Sequence, residues 1–194
     1  MKLDLVHDIQ KAYRSVVDSM ARPGHINNIK DQADKVDLEI DFYNATLILM
    51  LMLLDAEVSF KVFSKNEEEI TKFISQLTYA KPESIKNANF IFIMTDAENS
   101  HIEEAFDKAY EGDLINPHGS ATIIVEAKGI TNDREIILTG PGIKDENHIR
   151  VDINKGWIEK HREKNIEYPL GVDIIMVDEK ANLICIPRTT KITI

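Results

Sequence analysis

The spacing of apolar residues divides the chain into alternating helical and extended stretches. Residues 4–21 place Ile9, Tyr13, Val16, Val17 and Met20 at helical intervals, which predicts an amphipathic helix ended by Pro23-Gly24. Residues 24–35 read as a polar connection with weak strand character. A second helix is expected over 41–54, with Asp41 as its cap. Its run 47–54 is apolar all round, so it must be buried on most sides or lie in an interface. Residues 58–63 alternate like a half-buried strand. Residues 66–77 form a helix whose acidic first turn, Glu67 to Glu69, complements the helix dipole. The continuous apolar run 90–94 predicts a central strand, and 100–110 a short helix with Ser100 as cap and Glu103 in capping-box position. Strands follow at 121–126 and 135–139, joined through 129–133 as a hairpin. A helix over 154–164 carries the only tryptophan, Trp157. Strands at 172–177 and 183–186 make a last hairpin across 178–182, with 189–194 as its extension.

Helices and strands thus mix along one chain with late hairpins, which predicts a three-layer α/β/α sandwich with a mixed sheet, a single domain over 1–194. A composition of 43% hydrophobic and 29% charged residues is ordinary for a globular protein. The net charge of −10 argues against a free-standing nucleic-acid binder. It still permits a local arginine pocket for a small anion, and docking on more basic partners. The single cysteine, Cys185, excludes an internal disulfide. The first residues lack the basic and apolar regions of a signal peptide, and the run 47–54 is well short of the ~20 residues of a membrane span. The cytoplasm is the expected location.

Candidate chemistry gathers at three turns. Residues 134–139 run into Gly140-Pro141-Gly142, where Pro141 donates no backbone N–H and both glycines permit positive φ. Strand ends of this kind are where α/β sheets usually place ligand contacts. The corner is neither a P-loop nor a dinucleotide fingerprint, and a plain turn remains an alternative. The second turn is Pro169-Leu170-Gly171. The third, Pro187-Arg188-Thr189-Thr190, sets a planar fork of donors beside two hydroxyls, a set suited to phosphate or carboxylate. Its alternative is an edge strand whose arginine pairs with one of the 33 acids. The six histidines lack the close spacing of a helical zinc pair, so no metal site is expected. His118 stands in a turn-rich loop, as an acid–base group or simply solvated. Gly-x-Ser-x-Gly is absent and no catalytic residue can be assigned.

The combination is more specific than its parts. Tyr13-Arg14 with Met20-Ala21-Arg22-Pro23-Gly24, then Leu138-Thr139-Gly140-Pro141-Gly142-Ile143, Tyr168-Pro169-Leu170-Gly171-Val172-Asp173 and Ile186-Pro187-Arg188-Thr189-Thr190 follow in that order. In this the chain resembles the PhnH family of the bacterial carbon–phosphorus lyase system. The family usually has Phe at the positions of Tyr13 and Tyr168, so an aromatic ring is kept, and Ile at that of Val172. The stretch 27–116 carries little motif.

The resemblance implies a small relative of the pyridoxal-phosphate transferase fold without the cofactor. The absence of a Ser-x-x-Lys anchor agrees with that. It implies PhnG, PhnI, PhnJ and PhnL as partner subunits; a homodimer in isolation is expected separately, since apolar-rich chains of this class often pair through symmetric surfaces. ATP and a phosphonate are then handled at the level of the complex, where the phosphonate displaces adenine at the ribose C1 position, with PhnI as the catalytic subunit. Arg14, Arg22, Gly140, Gly142, Arg188, Thr189 and Thr190 become anion or interface contacts, expected to converge on one rim of the molecule. The alternatives are a pure scaffold subunit or a divergent pyridoxal-phosphate transferase.

Overall fold

The computed structural model describes residues 2–194. Its central sheet has apolar strands in the middle and a two-residue strand at each edge. The strands are β1 (Asn27–Asn28), β2 (Ser59–Phe63), β3 (Lys81–Pro82), β4 (Phe90–Ile93), β5 (Thr122–Ala127), β8 (Asp173–Asp178) and β9 (Asn182–Ile186). Their order is β1-β9-β8-β5-β4-β2-β3. β3, β2, β4, β5 and β8 are parallel neighbours, and β9 runs antiparallel to both β8 and β1. A second, antiparallel sheet contains β6 (Ile130–Thr139), β7 (Asn147–Val151) and β10 (Lys191–Thr193), in the order β10-β6-β7.

Side chains alternate across the central sheet and bury both its faces, as strands covered on two sides require. Ile124, Ile175, Val177, Leu183 and Cys185 pack on one face. The helices there are α1 (His7–Ala21), α2 (Lys30–Ala33), α3 (Asn44–Leu53) and α4 (Glu67–Thr78). Ile123, Val125, Ile174, Met176, Ile184 and Ile186 face the other way, toward α5 (Ser100–Lys108), α6 (Gly156–Lys164) and the apolar side of the small sheet. The expected three layers are present, but the second outer layer is part helix and part sheet.

Several expectations need correction. β5 and β6 do not form a hairpin, because β4 and β8 already occupy both edges of β5. β6 crosses to the small sheet and pairs with β7 and β10. β10 therefore extends β6 and not the β8–β9 hairpin. The expected polar connection at 24–35 holds β1 and the short helix α2.

α1 is rotated from its expected orientation. It buries Asp8, Ala12, Val16 and Ser19, and leaves Tyr13 and Val17 exposed. Buried Asp8 accepts a hydrogen bond from Lys35 Nζ at 2.7 Å, which offsets the cost of its burial. Asp4 lies before the helix and caps it: its carboxylate accepts the backbone N–H groups of Val6 and His7. α3 is buried throughout residues 45–50, so it is core and not interface. Asp41 does not cap it and instead accepts from Asn66 Nδ2. Ser100 opens α5 without a side-chain cap.

Candidate functional site

The end of α1 meets the glycine corner through close backbone approach. Gly142 has φ +80°, and a Cβ there would lie 2.2 Å from the Ala21 carbonyl oxygen. Gly140 has φ +131°, and its Cβ would lie 2.9 Å from the carbonyl oxygen of Thr189. Asn147 Nδ2 donates to the Pro23 carbonyl at 2.7 Å, and Asn132 Nδ2 to that of Gly24 at 3.2 Å. Three of the sequence clusters therefore converge: the Arg22–Gly24 turn, the Gly140–Gly142 corner and Thr189-Thr190. Arg22 pairs with Asp18 one helical turn earlier. Arg14 stands exposed on the outer side of α1 beside Tyr13.

Arg188 is held from four directions. Its backbone N–H donates to Asp173 Oδ1 at 2.8 Å, its Nε to the same oxygen at 3.3 Å, and its Nη2 to Oδ2 at 2.6 Å. Nη2 also donates to Ser120 Oγ. Nη1 donates to the Pro117 carbonyl at 3.0 Å and the Pro169 carbonyl at 3.2 Å. All five guanidinium N–H groups thus have partners. Arg188 ties the loop before β5 to the loop before β8, while Arg22 points to Asp18, so the two arginines share no partner.

The location differs from the expected strand end. β9 is antiparallel, so its carboxyl end lies beside the amino ends of β5 and β8, opposite the edge where parallel sheets usually bind ligands.

Beside this clamp runs a groove of about 630 Å³ between α6, Tyr168 and the segment from Arg188 to Thr193. Its charged lining consists of Arg162, Arg188 and Lys191, with no acid, in a chain of net charge −10. Arg162 donates Nε and Nη2 to the Ile192 carbonyl at 3.0 and 2.7 Å, closing that edge of β10. His161, on the buried side of α6, sits edge-on to Phe106 and Trp157. Burial lowers its pKa from 6.5 to about 4, so the ring is neutral near pH 7. His161 Nε2, Asn165 Nδ2 and Thr190 Oγ1 are buried polar atoms without a hydrogen-bond partner. Each such orphan costs about 1–3 kcal/mol. Leu114, Ile115, Ile166 and Tyr168, on the two loops that Arg188 joins, are 75% to 95% exposed.

The carboxyl edge of the parallel strands carries a feature that sequence reasoning missed. Glu126, 3% exposed at the end of β5, accepts the Tyr43 N–H at 2.8 Å and the Thr46 hydroxyl at 2.6 Å. Its other oxygen accepts the Thr95 N–H at 3.1 Å. Burial pushes its pKa up. Its place at the start of α3 satisfies one of the N–H groups a helix leaves open, the task expected of Asp41. A glutamate ending an apolar run was its only signal in the sequence.

Fold and groove define a mixed α/β protein with an arginine-clamped, cation-lined groove and exposed apolar side chains on the two clamped loops. The chain belongs to the PhnH family: the family described as "Bacterial phosphonate metabolism protein (PhnH)" matches residues 3–193. It is 26% identical over 188 residues to a Stutzerimonas stutzeri protein named as C-P lyase subunit protein HtxG, covering 95% of this chain and 86% of that one. It is 27% identical over 195 residues to the alpha-D-ribose 1-methylphosphonate 5-triphosphate synthase subunit PhnH of Rhizobium meliloti (strain 1021), covering 97% of this chain and 92% of that one. No helix among the described residues is long and apolar enough to cross a membrane.

Proposed function

We propose that this chain is a docking subunit of a carbon–phosphorus lyase complex, working in the cytoplasm. In that complex it supports transfer of the ribose 5-triphosphate of ATP to a phosphonate, with displacement of adenine. The observation that carries the reading is the apolar rim of Leu114, Ile115, Ile166 and Tyr168, standing on loops fixed by Arg188 in a chain whose relatives are named as subunits. Large exposed apolar side chains on loops held together mark protein contacts. Arg188 serves this surface by holding both loops in place before a partner arrives, which lowers the ordering cost of association.

Thr189, Thr190 and the Gly140–Gly142 corner fix the other wall of the groove against the end of α1. On the far side, Arg14 with exposed Tyr13 and Val17 offers a second face, suited to self-pairing when the other subunits are missing.

The test is reconstitution of PhnG, PhnI, PhnJ and PhnL with and without this chain, reading adenine release from ATP in the presence of methylphosphonate. The reading predicts that omission abolishes stable assembly and lowers adenine release at least tenfold, on the order of 1.4 kcal/mol. Equal assembly and equal release without the chain would remove it.

A further inference from the structure

We infer that the loop 110–121 is a preformed plug whose tip, Leu114-Ile115, seats in an apolar pocket with a cationic rim on another subunit of the complex. This rests on the docking reading and adds to it which segment enters the partner and what chemistry receives it. Ile115, 95% exposed, and Leu114, 78% exposed, are the two most exposed large apolar side chains among the described residues. They are neighbours in the chain, so they share one tip, and neither belongs to the apolar cores.

A loop left to solvent needs neither internal order nor apolar side chains at its tip, and this one has both. Its ends are closed by the Ala121 N–H, which donates to the Tyr110 carbonyl at 2.8 Å, as in a compact Ω-loop. Asp113 holds the tip from inside. Its Oδ1 accepts the Ile115 N–H at 2.8 Å and the Asn116 N–H at 2.7 Å, and its Oδ2 accepts the Tyr110 hydroxyl at 2.8 Å. The two limbs touch where Gly112, at φ +85°, leaves room for the Pro117 carbonyl; a Cβ there would lie 2.8 Å from that oxygen. Glu111 and Pro117 are tied to the body by the Gly171 N–H at 2.9 Å and by Arg188 Nη1 at 3.0 Å. The tip is therefore ordered before contact, and association loses little loop entropy.

Shape and charge define the receiving surface. A convex tip of two aliphatic side chains is fully buried only in a concavity. The loop carries Glu111 and Asp113 and no lysine or arginine. Glu111 pairs with Lys164 at 3.2 Å, while Asp113 makes no ion pair among the described residues. The hydrogen bonds it accepts, that of the Asn116 N–H first, hold its carboxyl below the usual range, so it is charged near neutral pH. Two aliphatic side chains beside one uncompensated negative charge are complemented by an apolar floor with a lysine or arginine at its lip.

The experiment measures binding of the purified chain to the assembled partner subunits of the reconstitution above, by surface plasmon resonance. It compares wild type with Ile115→Ala, Ile115→Trp and Asp113→Asn, each checked for an unchanged thermal midpoint. Both positions are exposed, and asparagine keeps a side-chain oxygen for the Ile115 and Asn116 N–H groups, so this change removes the charge and leaves the turn. Ile115→Ala is expected to weaken binding at least about tenfold. Ile115→Trp is too large for a pocket that fits isoleucine and should weaken it as much, whereas a flat apolar contact would accept it. Asp113→Asn should weaken binding about threefold at low salt and match wild type at about 1 M salt, where the charge is screened. Wild type that binds while Ile115→Ala or Ile115→Trp binds equally well overturns the plug and leaves the docking reading standing. Equal binding of Asp113→Asn and wild type at low salt overturns the cationic rim. Wild type that fails to bind removes the docking reading, and the plug with it.

Discussion

Arg188 and Asp173 are joined three times: the arginine backbone N–H and Nε both reach Asp173 Oδ1, and Nη2 reaches Oδ2. The pair locks the end of β9 to the start of β8, where the antiparallel register already places Ile186 beside Ile174. It also orients the guanidinium so that its remaining donors reach two loops that are far apart in sequence.

Arg188→Ala should therefore destabilise the fold by about 3 kcal/mol, the low end for breaking a buried pair, since both side chains keep some exposure. Arg188→Lys keeps the charge but loses the fork, and should recover less than half of that. Urea unfolding of both variants beside wild type measures it. A loss below about 0.5 kcal/mol for Arg188→Ala would mean the clamp is not structural.

The glycine corner gives a sharper contrast. Gly142→Ala needs a positive φ and places its methyl group against the Ala21 carbonyl, so a loss of at least about 2 kcal/mol is expected. Gly129→Ala meets open space and should be neutral or stabilising by up to about 1 kcal/mol. Thermal melts of the two variants, run together, separate this from a general sensitivity of glycines.

His161 sets a pH dependence of known sign. Burial, the largest influence, and Arg162 lower its pKa, while Asp173 opposes them. The folded value, about 4, lies below the unfolded 6.5, so the unfolded chain binds the extra proton between them. The stabilisation from a neutral His161 is complete above pH 6.5 and is lost as pH falls toward 4. It amounts to about 3 kcal/mol across that window. His161→Phe should flatten the slope of unfolding free energy between pH 6.5 and 4; an unchanged slope contradicts the assignment.

Much of this architecture was legible because strand and helix periods are local properties. The run at 90–94 announced a central strand, 121–126 a strand, and the all-apolar stretch 47–54 a helix buried on most sides or lying in an interface. What local pattern cannot give is which edge a strand finds free. β6 follows β5 in sequence but has no open edge of β5 to join, so the expected hairpin became a second sheet. The face of α1 was misread because Asp8 and Ser19 are buried with partners supplied by Lys35 and by the carbonyls of His25 and Leu183. Arg188 and Thr190 were visible as candidates. His161 and Asn165 were not, because only the packed chain creates their unpartnered atoms.

Glu126 tests the second edge of the sheet. Its carboxylate accepts from the Tyr43 and Thr95 N–H groups and from the Thr46 hydroxyl, so Glu126→Gln turns an NH₂ group toward donors. A loss of about 1–3 kcal/mol is expected, with faster hydrogen exchange at the Tyr43 and Thr95 amides. Unchanged exchange at both amides would exclude the capping role.

The docking surface is tested most directly by Ile115→Asp combined with Tyr168→Asp, two exposed positions whose substitution should leave the isolated fold intact. The measurement is co-purification of this double variant with PhnG, PhnI and PhnJ, beside its own thermal midpoint. The account predicts an unchanged midpoint and loss of the variant from the complex. A variant that folds and still enters the complex in full amount would contradict it.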